Sequence, residues 1–227
     1  IRSKPVEFCR RHILPPEKEV VLHGAGVDLN RYIYTPYTAH DPPRFLFVGR
    51  LMREKGVEEL FCAVRRLWTE GFHVHLQLLG FFEEQYRQEV DRLVSGGMTE
   101  FFGFQKEPWP FYQNCDCVVL PSYHEGMSNV LLEAAAVGRP IIASDIPGCR
   151  EAVEHSKTGL LCRAKDADSL YVAMRAFLAL SAAQKAALGQ NGRRKMERAF
   201  DKASVVAETL RIVTAEKAAP QPRRVTA

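Results

Sequence analysis

The sequence predicts an α/β protein built on one doubly wound parallel sheet, with extra helices at its carboxyl end. Three observations lead to this class. Strand-like and helix-like segments alternate about six times along residues 44–180. The strand segments are nearly continuous apolar runs, as expected of strands buried on both faces. Glycines end several of the helical segments, which separates one element from the next.

The elements are predicted in the following order. Residues 1–17 form a short polar helix that paired prolines end, residues 19–24 form a short strand, and 35–43 form a proline-rich loop. Further strands are predicted at 44–50, 73–80, 99–104, 116–122, 139–145 and 159–162. Helices are predicted at 55–71, 82–97, 108–114, 128–137, 148–154 and 166–180, followed by two more at 181–200 and 201–217. The last helix is expected to be amphipathic, and residues 217–227 to be a disordered tail.

The composition fits a globular protein and excludes some functional classes. The 227 residues are 46% hydrophobic and 26% charged. The net charge of +4 is scattered, without the basic face and interleaved aromatic residues that nucleic-acid binding requires. It suits an anionic substrate or an anionic membrane surface. Because neither a signal peptide nor a run of about 18 apolar residues is found, we expect a cytoplasmic chain, with at most peripheral contact at the inner membrane.

The cysteines and histidines indicate neither disulfides nor a metal site. None of the cysteines forms a CxxC pair, so reduced, buried thiols are expected; they stand at positions 9, 62, 115, 117, 149 and 162. His73 and His75 alternate along one predicted strand and lack a third ligand nearby. We therefore predict that the protein has no metal-binding site.

The segment VGRLMREKG, residues 48–56, is the first candidate binding site. Gly49 lies at the end of the predicted strand 44–50, where a glycine lets the backbone turn tightly beside a ligand. Arg50 and Lys55 then lie at the carboxyl edge of the sheet, where a guanidinium and an ammonium can bind two phosphate groups. On spacing alone, the alternative is a solvated loop with ordinary surface cations.

The segment PSYHEGMSNVLLEAAAVGRPIIASD, residues 121–145, is the second candidate. It reads as a strand end, a loop with Glu125, a helix with Glu133 and a second strand, as in a phosphate-ligand site of an α/β sheet. Glu133 lies among apolar neighbours and therefore needs a partner. Free N–H groups at the start of the helix favour an anion; they belong to Ser128, Asn129 and Val130. The segment therefore predicts an anion with hydroxyl groups on both sides.

Two carboxylates would also fit the acid/base pair of a glycosidase. A hydrolase explains neither the two cations after strand 44–50 nor the glycine turns at 103–104 and 147–149, whereas a phosphorylated donor explains all of them. His124, beside Glu125, is the one histidine that we consider as a residue lining the site.

Taken together, four motifs resemble the donor-binding domain of a retaining family 4 glycosyltransferase of the GT-B fold. They are FVGRLMREKG, FFGF, LPSYHEGMSNVLLEAAAVGRPIIASD, and PGCREAV followed by TGLLC, and the resemblance covers about residues 19–180. It implies a Rossmann-like nucleotide-sugar-binding domain at 44–180, preceded by an interdomain connection and first strand at 1–43. Helices at 181–216 and the tail at 217–227 would complete the chain.

The resemblance also implies roles for residues. Arg50 and Lys55 would bind the diphosphate, Glu125 would lie by the transferred sugar, and Glu133 would bind the ribose hydroxyls. We expect Arg50, Lys55 and Glu125 to take part in catalysis. The implied substrate-binding set adds Gly49 in the turn before Arg50, and Phe104 and Gln105 at the base. It also includes Gly126, Met127, Ser128, Asn129 and Val130 along the sugar and phosphates.

The implied reaction transfers a sugar from a nucleoside diphosphate to an acceptor hydroxyl with retention of configuration, and without a cofactor beyond the donor. The motif HEGMSNVLLEAA resembles the corresponding motif of bacterial surface-polysaccharide transferases that use UDP-hexoses or UDP-N-acetylhexosamines. The acceptor would be a glycan or a lipid-linked acceptor. One departure is Phe81-Phe82, where the family commonly has a second glycine after Gly80.

Length is the larger departure, because a complete enzyme of this type has two Rossmann-like domains. We expect the N-terminal acceptor domain to be missing, and this chain to be a fragment that is inactive alone. The alternatives are a non-catalytic nucleotide-binding subunit that needs a partner chain, and a nucleotide-sugar epimerase of the same architecture.

Overall fold

The structure, a computed structural model, describes residues 24–218, with the side chains of 215–218 left undescribed. The helix predicted at 1–17, nearly all of the strand predicted at 19–24 and residues 219–227 of the predicted tail lie outside this range. The last helix runs through Ala218, just into the segment predicted as a tail.

Six parallel strands form one sheet. They are β1 (Arg44–Val48), β2 (His75–Leu79), β3 (Thr99–Phe101), β4 (Cys117–Leu120), β5 (Ile141–Ser144) and β6 (Gly159–Cys162), in the order β3-β2-β1-β4-β5-β6. Every residue of β4 and β5 is buried, which requires cover on both faces. The predicted doubly wound, Rossmann-like α/β fold is therefore confirmed, and the order of the strands reverses between β1 and β4.

Eight α-helices are present in residues 24–218. They are α1 (Val57–Thr69), α2 (Arg87–Ser95), α3 (Trp109–Gln113), α4 (Asn129–Val137), α5 (Pro147–Ala152), α6 (Ala167–Ala179), α7 (Ala182–Ala199) and α8 (Lys202–Ala218). The helices predicted between residues 55 and 217 all appear, although those at 55–71 and 82–97 each begin with a short 3-10 turn, at Arg53–Lys55 and Glu84–Tyr86. None of the helices in this part of the chain combines the length and apolar character that crossing a bilayer would require.

Cys9 lies outside the described residues, and the other thiols follow the prediction with one exception. The thiols of four cysteines are buried and free, at positions 115, 117, 149 and 162, and burial raises their pKa. The prediction of a buried thiol was wrong at Cys62, which is exposed. Its neighbours Phe61 and Ala63 are buried, so Cys62 lies on the outer side of α1.

The segment before β1 is fixed to the carboxyl-terminal helices. The Val27 amide donates to the Phe200 carbonyl over 2.8 Å, and the Lys202 amide donates to the Val27 carbonyl over 3.0 Å. The Arg193 guanidinium donates to the Tyr32 carbonyl over 2.9 Å. Buried Arg139 donates to the carbonyls of Thr35 and Pro36. These contacts hold residues 24–36 beside α4, where the candidate site lies.

Helix α7 packs directly on the backbone at the end of α4, and this contact gives a prediction. A Cβ added at Gly189 would lie 2.0 Å from the Gly138 carbonyl oxygen, so we expect Gly189→Ala to lower the stability by about 1–3 kcal/mol through overpacking. In the matched control Gly192→Ala, the new methyl would meet Ala135 at an ordinary 3.5 Å. There the better helix propensity of alanine should raise the stability by up to about 1 kcal/mol. Thermal unfolding of the two variants checks the opposite signs.

Candidate functional site

The candidate site lies at the carboxyl ends of β1 and β4, the adjacent strands between which the strand order reverses. Ligands of open α/β sheets bind in the crevice outside such a switch point. The segments singled out in the sequence, 48–56 and 121–145, follow these two strands, so the fold brings both candidates to one edge.

Lys55 is positioned by a tight turn after β1. The 3-10 turn Arg53–Lys55 ends at Gly56, whose φ of 70° is left-handed. A Cβ at Gly56 would lie 2.1 Å from the Pro121 carbonyl oxygen, so only a glycine lets this turn approach the end of β4. The Tyr123 amide donates to the Glu54 carbonyl over 2.8 Å and ties the two loops together.

Lys55 and Glu125 meet directly. The Lys55 Nζ lies 2.6 Å from the Glu125 Oε1, with the two side chains 29% and 12% exposed. Because this pair is largely withdrawn from water, its electrostatic interaction is stronger than that of a surface pair. The ammonium retains donors for a second anionic partner beside Glu125.

Arg50 follows Gly49 at the end of β1 and is exposed. Gly49 is held against β2: its amide donates to the Leu79 carbonyl over 2.9 Å, and a Cβ at Gly80 would lie 1.9 Å from the Gly49 carbonyl oxygen. Among residues 24–214, whose side chains are described, no carboxylate forms an ion pair with Arg50. Its guanidinium is therefore available to an anionic ligand.

Helix α4 begins beside the Glu125 loop. Ser128 is its buried N-cap residue, and the first hydrogen-bonded turn uses the amides of Leu131 and Leu132, which donate to the Ser128 carbonyl. The amides of Asn129 and Val130 precede that turn and give the helix start its partial positive charge. The side chains of Met127 and Val130 pack on the core, so these two residues can offer a ligand mainly their backbone.

Glu133 has the buried partner that the sequence required. The Tyr112 hydroxyl donates to its Oε2 over 2.9 Å. Burial raises the pKa of Glu133, while the hydroxyls of Tyr112 and Tyr32 and the nearby Arg31 oppose the rise. Neither tyrosine was foreseen, because α3 and the segment before β1 meet α4 only in the folded chain.

A cavity of about 210 Å³ opens beside Glu133. Its polar lining includes Asp28, Arg31, Asn129 and Lys202 in addition to Glu133. Two cavities of similar size, against α7, contain none of the candidate site residues. The cavity beside Glu133 therefore has the polar character that a hydroxyl-bearing ligand group needs.

Helix α5 supports the Glu125 loop at close range. A Cβ at Gly148 would lie 2.1 Å from the Gly126 carbonyl oxygen and 2.3 Å from that of Glu125. The sequence offered only a weak signal here, a lone glycine turn at 147–149. In the structure, Gly148 is the residue whose missing side chain lets α5 fix the Glu125 loop.

Phe104 and Gln105 lie at the end of β3, two strands away from β1. The Gln105 side-chain amide donates to the Phe102 carbonyl over 2.7 Å, so the side chain is held against its own loop. Phe104 is exposed, and its ring stacks on that of Phe81. Residues Lys55, Glu125 and the start of α4 thus form one group, with Phe104 and Gln105 further along the same edge. His124 is exposed beside Glu125.

The buried carboxyl of Glu133 leads to a prediction about stability. Because its folded-state pKa is raised, the wild type loses stability as the pH rises from the ordinary value of 4.5 through the raised value. Glu133→Gln keeps the shape and an acceptor for Tyr112. We expect Glu133→Gln to have a higher unfolding temperature than the wild type at pH 7. This difference should become smaller when the unfolding temperatures of both proteins are measured near pH 4.

Gln113, twenty residues earlier, provides the control for this prediction. Its amide already donates to the Thr35 hydroxyl over 2.8 Å, and Gln113→Glu should show no gain of this kind. An unfolding temperature for Glu133→Gln that is equal to or below that of the wild type at pH 7 would contradict the raised pKa.

A doubly wound sheet with two cations, two carboxylates and a helix start at its switch point defines a Rossmann-like domain with an anion site. Residues 42–179 match the family model described as glycosyl transferases group 1. This match spans more than half of the 227 residues. The chain therefore belongs to the group 1 glycosyl transferases.

Curated relatives are similar over part of their length. The glycogen synthase of Mycobacterium tuberculosis is 32% identical over 223 residues, which are 92% of this chain and 52% of that protein. The N,N'-diacetylbacillosaminyl-diphospho-undecaprenol alpha-1,3-N-acetylgalactosaminyltransferase of Campylobacter jejuni is 29% identical over 182 residues, 75% of this chain and 48% of that protein. The chain thus spans about half the length of these relatives.

Among solved structures, sucrose-phosphate synthase from Thermosynechococcus elongatus superposes with a TM-score of 0.80 at 27% identity, over 96% of this chain and 57% of that one. Anabaena HepE in complex with UDP gives a TM-score of 0.71 at 20% identity, over 84% of this chain and 56% of that one. Both likenesses agree with the fold described above.

Proposed function

We propose that the chain is the donor-binding domain of a retaining glycosyltransferase, which moves a hexose or N-acetylhexosamine from a UDP-sugar to an acceptor hydroxyl. The observation that carries this proposal is the 2.6 Å contact between Lys55 and Glu125 beside the start of α4. It joins, at one sheet edge, a phosphate-binding cation and a carboxylate able to accept hydrogen bonds from sugar hydroxyls.

The site residues receive the following roles in the proposal. Arg50 and Lys55 bind the diphosphate, and Glu133 accepts hydrogen bonds from the ribose hydroxyls in the adjoining cavity. Glu125 lies at the transferred sugar. Backbone groups of 126–130 line the sugar and phosphates, and the segment Phe104–Gln105 lies at the base. As the bond to the sugar breaks, negative charge grows on the departing diphosphate, and the two cations and the helix start stabilise it.

The pathway proposal draws on the relatives' names. The Campylobacter relative is named for transfer of N-acetylgalactosamine to a diphospho-undecaprenol-linked sugar, and a Staphylococcus aureus relative for capsular polysaccharide biosynthesis. We propose a comparable role in bacterial surface polysaccharide synthesis, with a glycan or lipid-linked acceptor, at the cytoplasmic side of the inner membrane. A further acceptor-binding domain would complete the active site.

Calorimetric titration of the 227-residue chain with UDP, GDP and ADP tests the proposal. We expect saturable binding of UDP at a single site, with weaker heats from GDP and ADP. If none of the three nucleotides gave a measurable heat of binding, the donor-domain assignment would be refuted. Tighter binding of GDP or ADP would keep the assignment and correct the base.

A further inference from the structure

Two exposed aromatic rings stack on each other at the carboxyl edge of the sheet. The centroids of Phe81 and Phe104 are 5.0 Å apart, and the ring planes differ by 6°. The residues are 62% and 61% exposed. Adjacent exposed apolar side chains form a contiguous patch, and such patches are characteristic of ligand and partner sites.

The strand register places this pair beside Arg50. Val48 pairs with Leu79, and Leu51 forms a parallel bridge with Phe82. Arg50 and Phe81 therefore occupy equivalent positions on adjacent strands, and their side chains project from the same face. Leu51 is buried and Phe82 packs on the core, which agrees with this alternation.

A backbone bond keeps this register beyond the strands. The Leu51 amide donates to the Phe81 carbonyl over 2.7 Å, which fixes Phe81 next to the turn that carries Lys55. On the other side, the Gly80 amide donates to the Gly103 carbonyl over 2.8 Å and brings Phe104 alongside Phe81. A guanidinium and two aromatic rings thus follow one another across β1, β2 and β3, over about 10 Å for two strand spacings.

Phe104 covers one face of the Phe81 ring, so the free face is the one turned toward β1 and Arg50. We infer that this face of Phe81 is a stacking platform for the nucleobase of the nucleoside diphosphate whose phosphates Arg50 binds, with Phe104 as its support. The inference rests on the proposed function and adds a base-binding residue to it. A π-face stacks with any base, so the platform supplies affinity rather than a choice between bases.

The test compares a ligand that has a base with one that has none. Calorimetry of the whole chain would measure UDP and pyrophosphate binding to the wild type, Phe81→Leu and Phe81→Tyr. Loss of base–aromatic stacking should weaken UDP binding to Phe81→Leu by about 5- to 150-fold. Phe81→Tyr should stay within about twofold of the wild type, because it keeps the ring. Pyrophosphate binding should be the same in all three proteins.

The control is Val172→Ala, at another exposed apolar residue on α6, which should leave UDP binding unchanged. Unchanged UDP binding by Phe81→Leu would overturn the platform while the proposed function stands. An equal loss of pyrophosphate binding would overturn it in favour of a local distortion near Arg50. A change in sedimentation with unchanged UDP affinity would point to contact between copies of the chain. If the wild type binds no nucleotide at all, the proposed function fails first, and the platform with it.

Discussion

Arg50→Ala is expected to weaken UDP binding by about 10- to 100-fold. A charge-assisted hydrogen bond contributes about 1.5–3 kcal/mol, and each 1.4 kcal/mol corresponds to a tenfold change in affinity. Arg50 is exposed at the end of β1 and engaged in no ion pair with a described carboxylate, so its removal leaves no other charge unpaired. Calorimetric titration at a fixed salt concentration measures the change.

Arg53→Ala is the matched control, three residues further along the same loop. Its side chain is 71% exposed and lies 3.9 Å from Glu58, a contact of little energetic weight. We expect its UDP affinity to stay within about twofold of the wild type. If UDP affinity fell equally in the two variants, binding of the diphosphate would depend only on the overall positive charge of the loop. This result would contradict the role assigned to Arg50.

Gly148→Ala is expected to damage both the stability and the site. The new Cβ would lie 2.1 Å from the Gly126 carbonyl oxygen, so either α5 or the Glu125 loop must move. Overpacking of this kind costs about 1–3 kcal/mol. The displaced loop carries Glu125 away from Lys55 and shifts the start of α4, so UDP affinity should fall together with the unfolding temperature.

Gly192→Ala adds the same methyl group where the nearest atom is 3.5 Å away, and it should leave UDP binding unchanged. Retention of wild-type stability and UDP affinity by Gly148→Ala would show that the Glu125 loop does not depend on contact with α5.

The strands and helices could be predicted from local patterns in the sequence. The apolar run at 116–122 contains β4, and the segment predicted as a helix at 128–137 differs from α4 by a single residue at its start. Such elements are fixed by neighbouring residues, because a buried strand needs a continuous apolar run and a glycine such as Gly138 ends a helix. The positions of Lys55 and Glu125 followed, since carboxyl ends of parallel strands share one edge.

What the sequence left open depends on contacts between distant elements. The hydrogen bond from Tyr112 to Glu133 needs α3 to pack on α4, and the contact of Gly148 with Gly126 needs α5 to lie against the Glu125 loop. The row formed by Arg50 and Phe81 depends on the pairing of β1 with β2. No periodicity or spacing in the sequence specifies which strand lies next to which, so these contacts became visible only in the folded chain.

A crystal structure of the chain grown with UDP tests the central claim most directly. We expect the diphosphate oxygens within hydrogen-bonding distance, about 2.7–3.2 Å, of the Arg50 guanidinium and Lys55 Nζ, with the ribose hydroxyls on the Glu133 carboxylate. UDP bound elsewhere on the chain, with Arg50, Lys55 and Glu133 unchanged and free of ligand, would contradict the account.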